Sequence, residues 1–458
     1  MDHFMEPEQM PVPVALPQPS GSKQAGSTLP PREDEGAGSR DCLRRLEASA
    51  LKGLQLVKLN HVLRHAFENQ PFYRDRLASL KLPLTDLSQL SELPFLRKEE
   101  LLGMPATICG LDRAQYTRAH QTSGTTGEPL LILDTPADWK WWTNTWQYVL
   151  DCAEVTEADI AFMAFSYGPF IGFWSAHDAL IERHAMVVPG GGMSSLARLH
   201  AMLACQATVL CCTPTYALHL ATVAKQAQID LSGSRISRII VAGEPGGSVP
   251  EVRGRIESLW NARVVDHCGA TEIGPWGVGD SAGEGIHVIE AEFIAETIVF
   301  DGTSGEGTAR SGRMAGPGEL AELVLTGLGR LGAPVIRYRT GDLVRAEPSC
   351  DPENRFLYLR GGVVGRVDDM VVVRGVNVFP SSIDAIVRRV AGDAEYRVSR
   401  SRYQEMEQLR LEVEGDLAVA SRLNDAFREQ LGLRIDVNSV DTGTLPRFEG
   451  KAKRWVKS

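Results

Sequence analysis

From residue 42 onward the chain alternates between two hydrophobic rhythms. Leu43, Leu46, Leu51, Leu54, Leu56, Leu59, Val62 and Leu63 recur at roughly helical spacing, and the run stops at Pro71. From there to Glu272, short apolar runs alternate with longer amphipathic ones. ATVLCC (207–212) and RIIVAG (238–243) read as buried strands, and TYALHLATVAKQA (215–227) between them reads as a helix. This alternation predicts an α/β fold: a large N-terminal domain with mostly parallel sheets flanked by helices. GELAELVLTG (318–327) and DMVVVRG (369–375) add strands. From about residue 367 a strand, a helix (SSIDAIVRRV), a strand (LRLEVEG) and a helix (ASRLNDAFREQLG) follow one another, which predicts a small α+β C-terminal domain.

Residues 1–41 break both rhythms. Seven prolines from Pro7 to Pro31 and the glycines Gly21, Gly26, Gly36 and Gly38 punctuate a stretch poor in large side chains. Such a segment buries too little apolar surface to offset its ordering entropy, so a disordered extension is expected there. The expected organisation is therefore 1–41 extension, 42–366 large domain and 367–458 small domain. No repeat of fixed period is visible.

Composition narrows the function. With 43% hydrophobic and 23% charged residues, the 458-residue chain has the make-up of an ordinary globular protein. A net charge of −10 argues against general nucleic-acid binding. The eight cysteines form no C-x-x-C pair, and Cys211 and Cys212 sit in an apolar run as small hydrophobes. That usage, with no apolar stretch of membrane-span length and no secretory leader pattern, predicts a cytoplasmic protein without a membrane partner.

Gln121-Thr122-Ser123-Gly124-Thr125-Thr126-Gly127-Glu128-Pro129 is the first segment with chemistry in it. Interleaved hydroxyls and glycines can wrap an anion with backbone N–H groups and side-chain donors, although Ser/Thr/Gly turns are also common surface features. No Lys-Ser/Thr follows Gly127, so it is not a Walker A loop. After it come, in order, Ala242-Gly243-Glu244-Pro245 and Asp266-His267-Cys268-Gly269-Ala270-Thr271-Glu272, then Arg337-Tyr338-Arg339-Thr340-Gly341-Asp342. Gly365-Arg366-Val367-Asp368-Asp369, a strand leading to Arg374-Gly375-Val376, and Leu445-Pro446-Arg447-Phe448-Glu449-Gly450-Lys451 complete the set.

This ordered set resembles the adenylate-forming superfamily of acyl-CoA synthetases and adenylation domains, and within it the phenylacetate–CoA ligase branch. The resemblance covers about residues 43–458. It implies ATP-dependent conversion of a carboxylic acid, with an aromatic one expected, to acyl-AMP, followed by transfer to a thiol. The cofactors implied are ATP, Mg²⁺ and CoA, or a carrier-protein pantetheine in place of CoA. By the same resemblance Ser123, Gly124, Thr125, Thr126 and Gly127 would hold phosphates, and Glu272 would carry Mg²⁺. Glu244 and Pro245 would border the adenine, Asp342 would accept from the ribose, and Arg366 would reach ribose or phosphate. Lys451 would be the catalytic ammonium, because a compact mobile cation suits the charge developing on phosphate and carboxylate. Asp368 would be the hinge about which the small domain swings, bringing Arg374, Gly375 and Val376 to line the thiol's approach. Phe165, Tyr167, Phe170 and Phe173, with Phe162 and Trp174 nearby, form an aromatic cluster where the family places the acid. Such clusters are more often core than pocket.

Two residues depart from the branch's pattern. Glu128 stands where a Lys is usual, and Cys268 replaces the aromatic that packs on adenine. The resemblance leaves four readings open: a CoA ligase, an enzyme loading a separate carrier protein, nucleotidyl transfer to another acceptor, and a non-catalytic nucleotide-binding relative. Its partners would be a small carboxylic acid, with a carrier protein and a homodimer as further options.

Overall fold

The computed structural model describes residues 37–101, 109–122, 129–172, 174–300, 312–367, 369, 371–373, 376–403, 406–448 and 453–457. The first helix, Ala37–Arg44, begins a few residues before the expected start of order. A bidentate contact of Arg40 with Asp151 ties it to the large domain.

The large domain is organised by one 13-stranded sheet. Five strands run parallel in the spatial order Met186–Pro189, Ile160–Met163, Val209–Cys212, Arg238–Val241, Arg263–Ala270. The VLCC strand is buried at all four positions. Burial pushes the Cys211 thiol up to about 12, so it packs as a neutral apolar group. All eight cysteines are free thiols. The helices between these strands are capped where the sequence changes rhythm. Thr135 caps Pro136–Cys152 in a capping box with Asp138, and Thr213 caps Pro214–Gln226, each with Pro in the first turn.

Beyond Arg263–Ala270 the sheet continues antiparallel, through Gly274–Gly279, Gly285–Val288, Tyr358–Arg360, Tyr338–Glu347, Leu320–Gly327, Phe293–Val299 and Arg313–Met314. The parallel part is thus narrower than the helix–strand alternation predicted. Antiparallel neighbours need no helical crossover, so that half leaves no alternating signature.

The small C-terminal domain has its own four-stranded sheet, in the order Asp436–Val440, Met406–Glu414, Tyr396–Tyr403, Trp455–Lys457. Helices Pro380–Ala391 and Leu417–Leu431 pack over a core that includes Ile383, Ile386, Leu411, Leu423 and Phe427. The hairpin Val371–Val373/Val376–Val378 joins it to the large domain. Across the domain boundary, Arg255 on helix Pro250–Trp260 makes a bidentate ion pair with Asp393, and Arg389 lies 3.5 Å from Glu251. The Phe379 ring occupies the space a Cβ on Gly365 would fill.

Candidate active site

Of the sequence-predicted segments, those bearing Glu244, Glu272, Asp342 and Arg366 are described, and they lie at the end of the sheet where strands Arg238–Val241 and Arg263–Ala270 finish and antiparallel pairing begins. In open α/β sheets ligands bind outside the carboxyl ends of the strands. The strand Arg238–Val241 delivers Glu244, whose carboxylate accepts from the Thr215 N–H at 2.8 Å. Gly243 and Gly246 have φ of +92° and +154°, conformations that suit glycine. Gly247 has a different reason for lacking a side chain. A Cβ there would stand 2.4 Å from the Asp266 carboxyl carbon. Asp266 is closed in by the Ser248 hydroxyl at 2.7 Å, and burial pushes its pKa up to about 6. His267 packs on Trp146 at 4.3 Å and pairs through Nδ1 with the Gly277 carbonyl at 2.8 Å. Burial lowers its pKa to about 4, so it sits neutral as a structural group.

Glu272 is buried, with its side chain 7% exposed. Its carboxylate meets the Lys98 ammonium at 3.1 Å and the Tyr338 hydroxyl. Tyr338 opens the strand Tyr338–Glu347, which also carries Asp342. Each polar residue of this motif has a defined partner. Arg337 forks onto Glu296 and stacks 4.1 Å over Phe95. Arg339 forks onto Glu322, and the Thr340 hydroxyl donates to the Leu323 carbonyl at 2.8 Å. Gly341, with φ +75°, turns the chain so that Asp342 faces Arg366 on the paired strand, with Oδ1 2.7 Å from Nη1. Burial pushes the Asp342 pKa up to about 6, against the pull of Arg366, and the charges of Glu272 and Glu322 add to the rise. Burial pushes the Cys268 thiol on Arg263–Ala270 well up, and the charges of Asp266 and Asp342 add to the rise.

The structure therefore brings Glu244, Pro245, Glu272, Asp342 and Arg366 to one end of the sheet. Lys98 and Tyr338 join them. Tyr338 lies inside a motif already visible in the sequence, whereas Lys98 sits in PFLRKEE, which carries no signal. Among the described residues no three His, Cys, Asp or Glu side chains converge on one point. A cation at Glu272 would therefore need oxygens from phosphate and water as well, a set that fits Mg²⁺.

The loop residues Ser123, Gly124, Thr125, Thr126, Gly127 and Glu128 lie outside the described residues, as do Phe173, Asp368, Arg374, Gly375 and Lys451. The flanks of the loop are defined. Strands Arg118–Gln121 and Leu131–Asp134 pair antiparallel, and Thr122 and Leu130 close the base through two bonds of 2.9 and 3.0 Å. Val376 begins a strand paired to Val371–Val373 and packs against the small domain's core. In the aromatic cluster, Phe165 and Tyr167 lie 4.8 Å apart and Tyr167 meets Trp174 edge-on at 4.7 Å. Phe170 is 45% exposed. Gln121 binds the Pro169 carbonyl at 2.8 Å, which joins this cluster to the loop hairpin.

A large α/β domain followed by a small α+β domain, together with the likeness of the chain to curated relatives, gives the class: an adenylate-forming enzyme. Residues 375–458 match the AMP-binding enzyme C-terminal domain. A phenylacetate-coenzyme A ligase of Pseudomonas putida is 30% identical over 431 residues, which span 90% of this chain and 95% of that one. The chain belongs to the phenylacetate–CoA ligase family. Among solved structures, 2-hydroxyisobutyryl-CoA ligase in the postadenylation state superposes with a TM-score of 0.84 at 24% identity, covering 95% of both chains. The same enzyme in the thioesterification state gives 0.68 at 25% identity, with 95% of each chain covered.

Proposed function

We propose that this chain is an ATP-dependent acid–thiol ligase that couples an aromatic carboxylic acid to CoA through an acyl-adenylate. A free carboxylate is a poor acyl donor, because its leaving group would be an oxide. In the first half-reaction a carboxylate oxygen attacks the α-phosphorus of ATP and pyrophosphate leaves. In the second, the thiol attacks the acyl carbon and AMP leaves, carrying the oxygen that came from the acid.

The observation that carries this reading is the Glu272–Tyr338–Asp342–Arg366 cluster, at the same end of the sheet as the Glu244–Pro245 turn. Asp342 accepts from the ribose hydroxyls, a role that needs its ionised form. Arg366 holds it oriented and shares its charge. Pro245 and the Glu244 turn form the wall of the adenine site. Glu272 would be the carboxylate that holds Mg²⁺, and the ion would supply neutralisation of phosphate charge. Lys98 and Tyr338 hold that carboxylate in one orientation. Lys451 brings the ammonium to the transferring phosphate.

Support for an aromatic acid comes from the Phe165–Tyr167–Trp174 group and from Gly191, where a Cβ would stand 2.7 Å from the Tyr167 ring. The chain superposes better on the postadenylation than on the thioesterification state of the structural neighbour, with TM-scores of 0.84 and 0.68, which is consistent with a small domain that changes place between two stages.

The test is pyrophosphate release across a panel of acids, phenylacetate, benzoate and 2-hydroxyisobutyrate among them, with and without CoA. The expected result is acid-dependent release that is greatest with an aromatic acid, and thioester formation when CoA is present. Acid-dependent release with no CoA thioester would move the acceptor to a carrier protein. No release with any acid would sink the ligase reading.

A further inference from the structure

The buried ion pair Arg330–Asp134 belongs to none of the motifs, yet it touches the candidate magnesium carboxylate's backbone. Arg330 is 2% exposed and Asp134 is fully buried. Arg330 Nε donates to Asp134 Oδ1 at 2.8 Å, and Nη2 lies 2.6 Å from the same oxygen. The other guanidinium nitrogen, Nη1, donates to two consecutive carbonyls, Thr271 at 2.9 Å and Glu272 at 3.0 Å. Asp134 ends the strand Leu131–Asp134, so one side chain spans from the hairpin to the turn that bears Glu272. The Trp142 indole N–H also donates to Asp134 Oδ1, at 3.3 Å, and its ring lies 5.3 Å from the guanidinium carbon. Asp134 Oδ2 has no hydrogen-bond partner among the described residues and faces His120 Nδ1 at 3.9 Å.

This is an expensive arrangement to bury. Taking both charges out of water is unfavourable, and well-packed apolar residues of similar volume would often serve stability equally well. Only a planar fork with several fixed donors can grip a carboxylate on one edge and two carbonyls on the other. A lysine offers a single point. The Glu272 residue is then held at both ends: its backbone by Arg330, its carboxylate by Lys98 and Tyr338.

We propose that Arg330, braced by Asp134, is a positioning residue that fixes the Glu272 backbone so that its carboxylate meets the nucleotide-bound magnesium. This rests on the role given to Glu272 under the proposed function. Arg330 touches no substrate; it acts through Glu272.

The test compares wild type with Arg330→Lys and with the double variant Asp134→Asn/Arg330→Gln, which removes both buried charges and so leaves neither unpaired. Two readouts are taken on each folded protein: ATP affinity by calorimetry with and without Mg²⁺, and the two half-reactions separately. Wild type is expected to bind ATP more tightly with Mg²⁺. Both variants are expected to lose most of that magnesium-dependent gain. Acid-dependent pyrophosphate release should fall about 100-fold in the double variant, the scale of a small misplacement of a positioned group. Thioester formation from supplied acyl-adenylate should stay within a few-fold of wild type. Unchanged magnesium dependence, or equal loss in both half-reactions, would overturn the proposal in favour of a structural pair. Wild type that binds Mg-ATP but releases no pyrophosphate with any acid would overturn the ligase reading instead, and the calorimetry would still decide the role of Arg330.

Discussion

Replacing Asp342 by Asn asks whether a carboxylate meant for ribose is kept at a cost to the fold. The side chain is 15% exposed, its pKa is pushed up from 3.8 to about 6 principally by burial, and Arg366 only partly offsets that. A rise of roughly two pH units corresponds to about 3 kcal/mol of extra cost for ionising the group in the folded protein. Below pH 3.8 the acid is protonated in both states and the cost is absent. As pH rises through about 6 the folded protein must carry the buried charge, and stability falls by up to that amount. The amide of the Asp342→Asn variant would never ionise. That variant is therefore expected to be more stable than wild type at about pH 7.5, by up to ~3 kcal/mol, a figure in which the opposing pull of Arg366 is already included. The advantage should shrink towards zero near pH 4, about the ordinary carboxylate pKa. Urea unfolding at both pH values measures it. Asp266 and Glu290 are also pushed up, to about 6 and about 7, so the wild-type curve is composite and the difference between the two proteins is the informative quantity. In catalysis the order should invert: wild-type kcat/KM for ATP falls as pH drops through about 6, while the Asn variant is low and flat across that range. A variant less stable than wild type at neutral pH, or a difference that does not change with pH, would refute the reasoning.

Lys451→Ala should cut acid-dependent pyrophosphate release by orders of magnitude while leaving ATP binding by calorimetry largely intact; parallel loss of both would indicate a binding role. Gly247→Ala drives a methyl to 2.4 Å from the Asp266 carboxyl carbon and should destabilise by about 1–3 kcal/mol. In the same unfolding assay Gly254→Ala, inside helix Pro250–Trp260 with nothing within 4 Å of the new Cβ, should stabilise by about 0.5–1 kcal/mol. Arg255→Glu places like charges opposite each other where the domains meet at Asp393, and should slow adenylation several-fold relative to thioester formation. Adding Asp393→Arg should restore the ratio, and failure to do so would mean the pair does not hold the domains.

The parts of this molecule legible in the sequence are those whose signal is local. The runs at 207–212 and 238–243 became the buried strands Val209–Cys212 and Arg238–Val241, because a strand covered on both faces is apolar without interruption. The small domain's helices appear at Pro380–Ala391 and Leu417–Leu431, where their apolar periodicity placed them. Most of the antiparallel half was not legible, since strands such as Gly274–Gly279, rich in glycine, have no strand-like composition. The motifs marked Glu244, Glu272 and Asp342, and among the groups that orient them Tyr338 and Arg366, but not Lys98, Arg330 or Asp134. Lys98 reaches Glu272 from a short 3₁₀ turn far away in sequence, and Arg330 and Asp134 are brought together only by the tertiary fold. A lone Lys, Arg or Asp outside a motif has no pattern by which to announce such a partner.

In the ligase reaction proposed for this chain, the acid's own oxygen passes to AMP. It is tested most directly by supplying an acid labelled with heavy oxygen in its carboxylate, together with ATP and CoA, and weighing the nucleotide products by mass spectrometry. The expected result is AMP bearing one labelled oxygen for each thioester formed, with unlabelled pyrophosphate. Label in inorganic phosphate alongside ADP, or thioester formed with unlabelled AMP, would contradict the account.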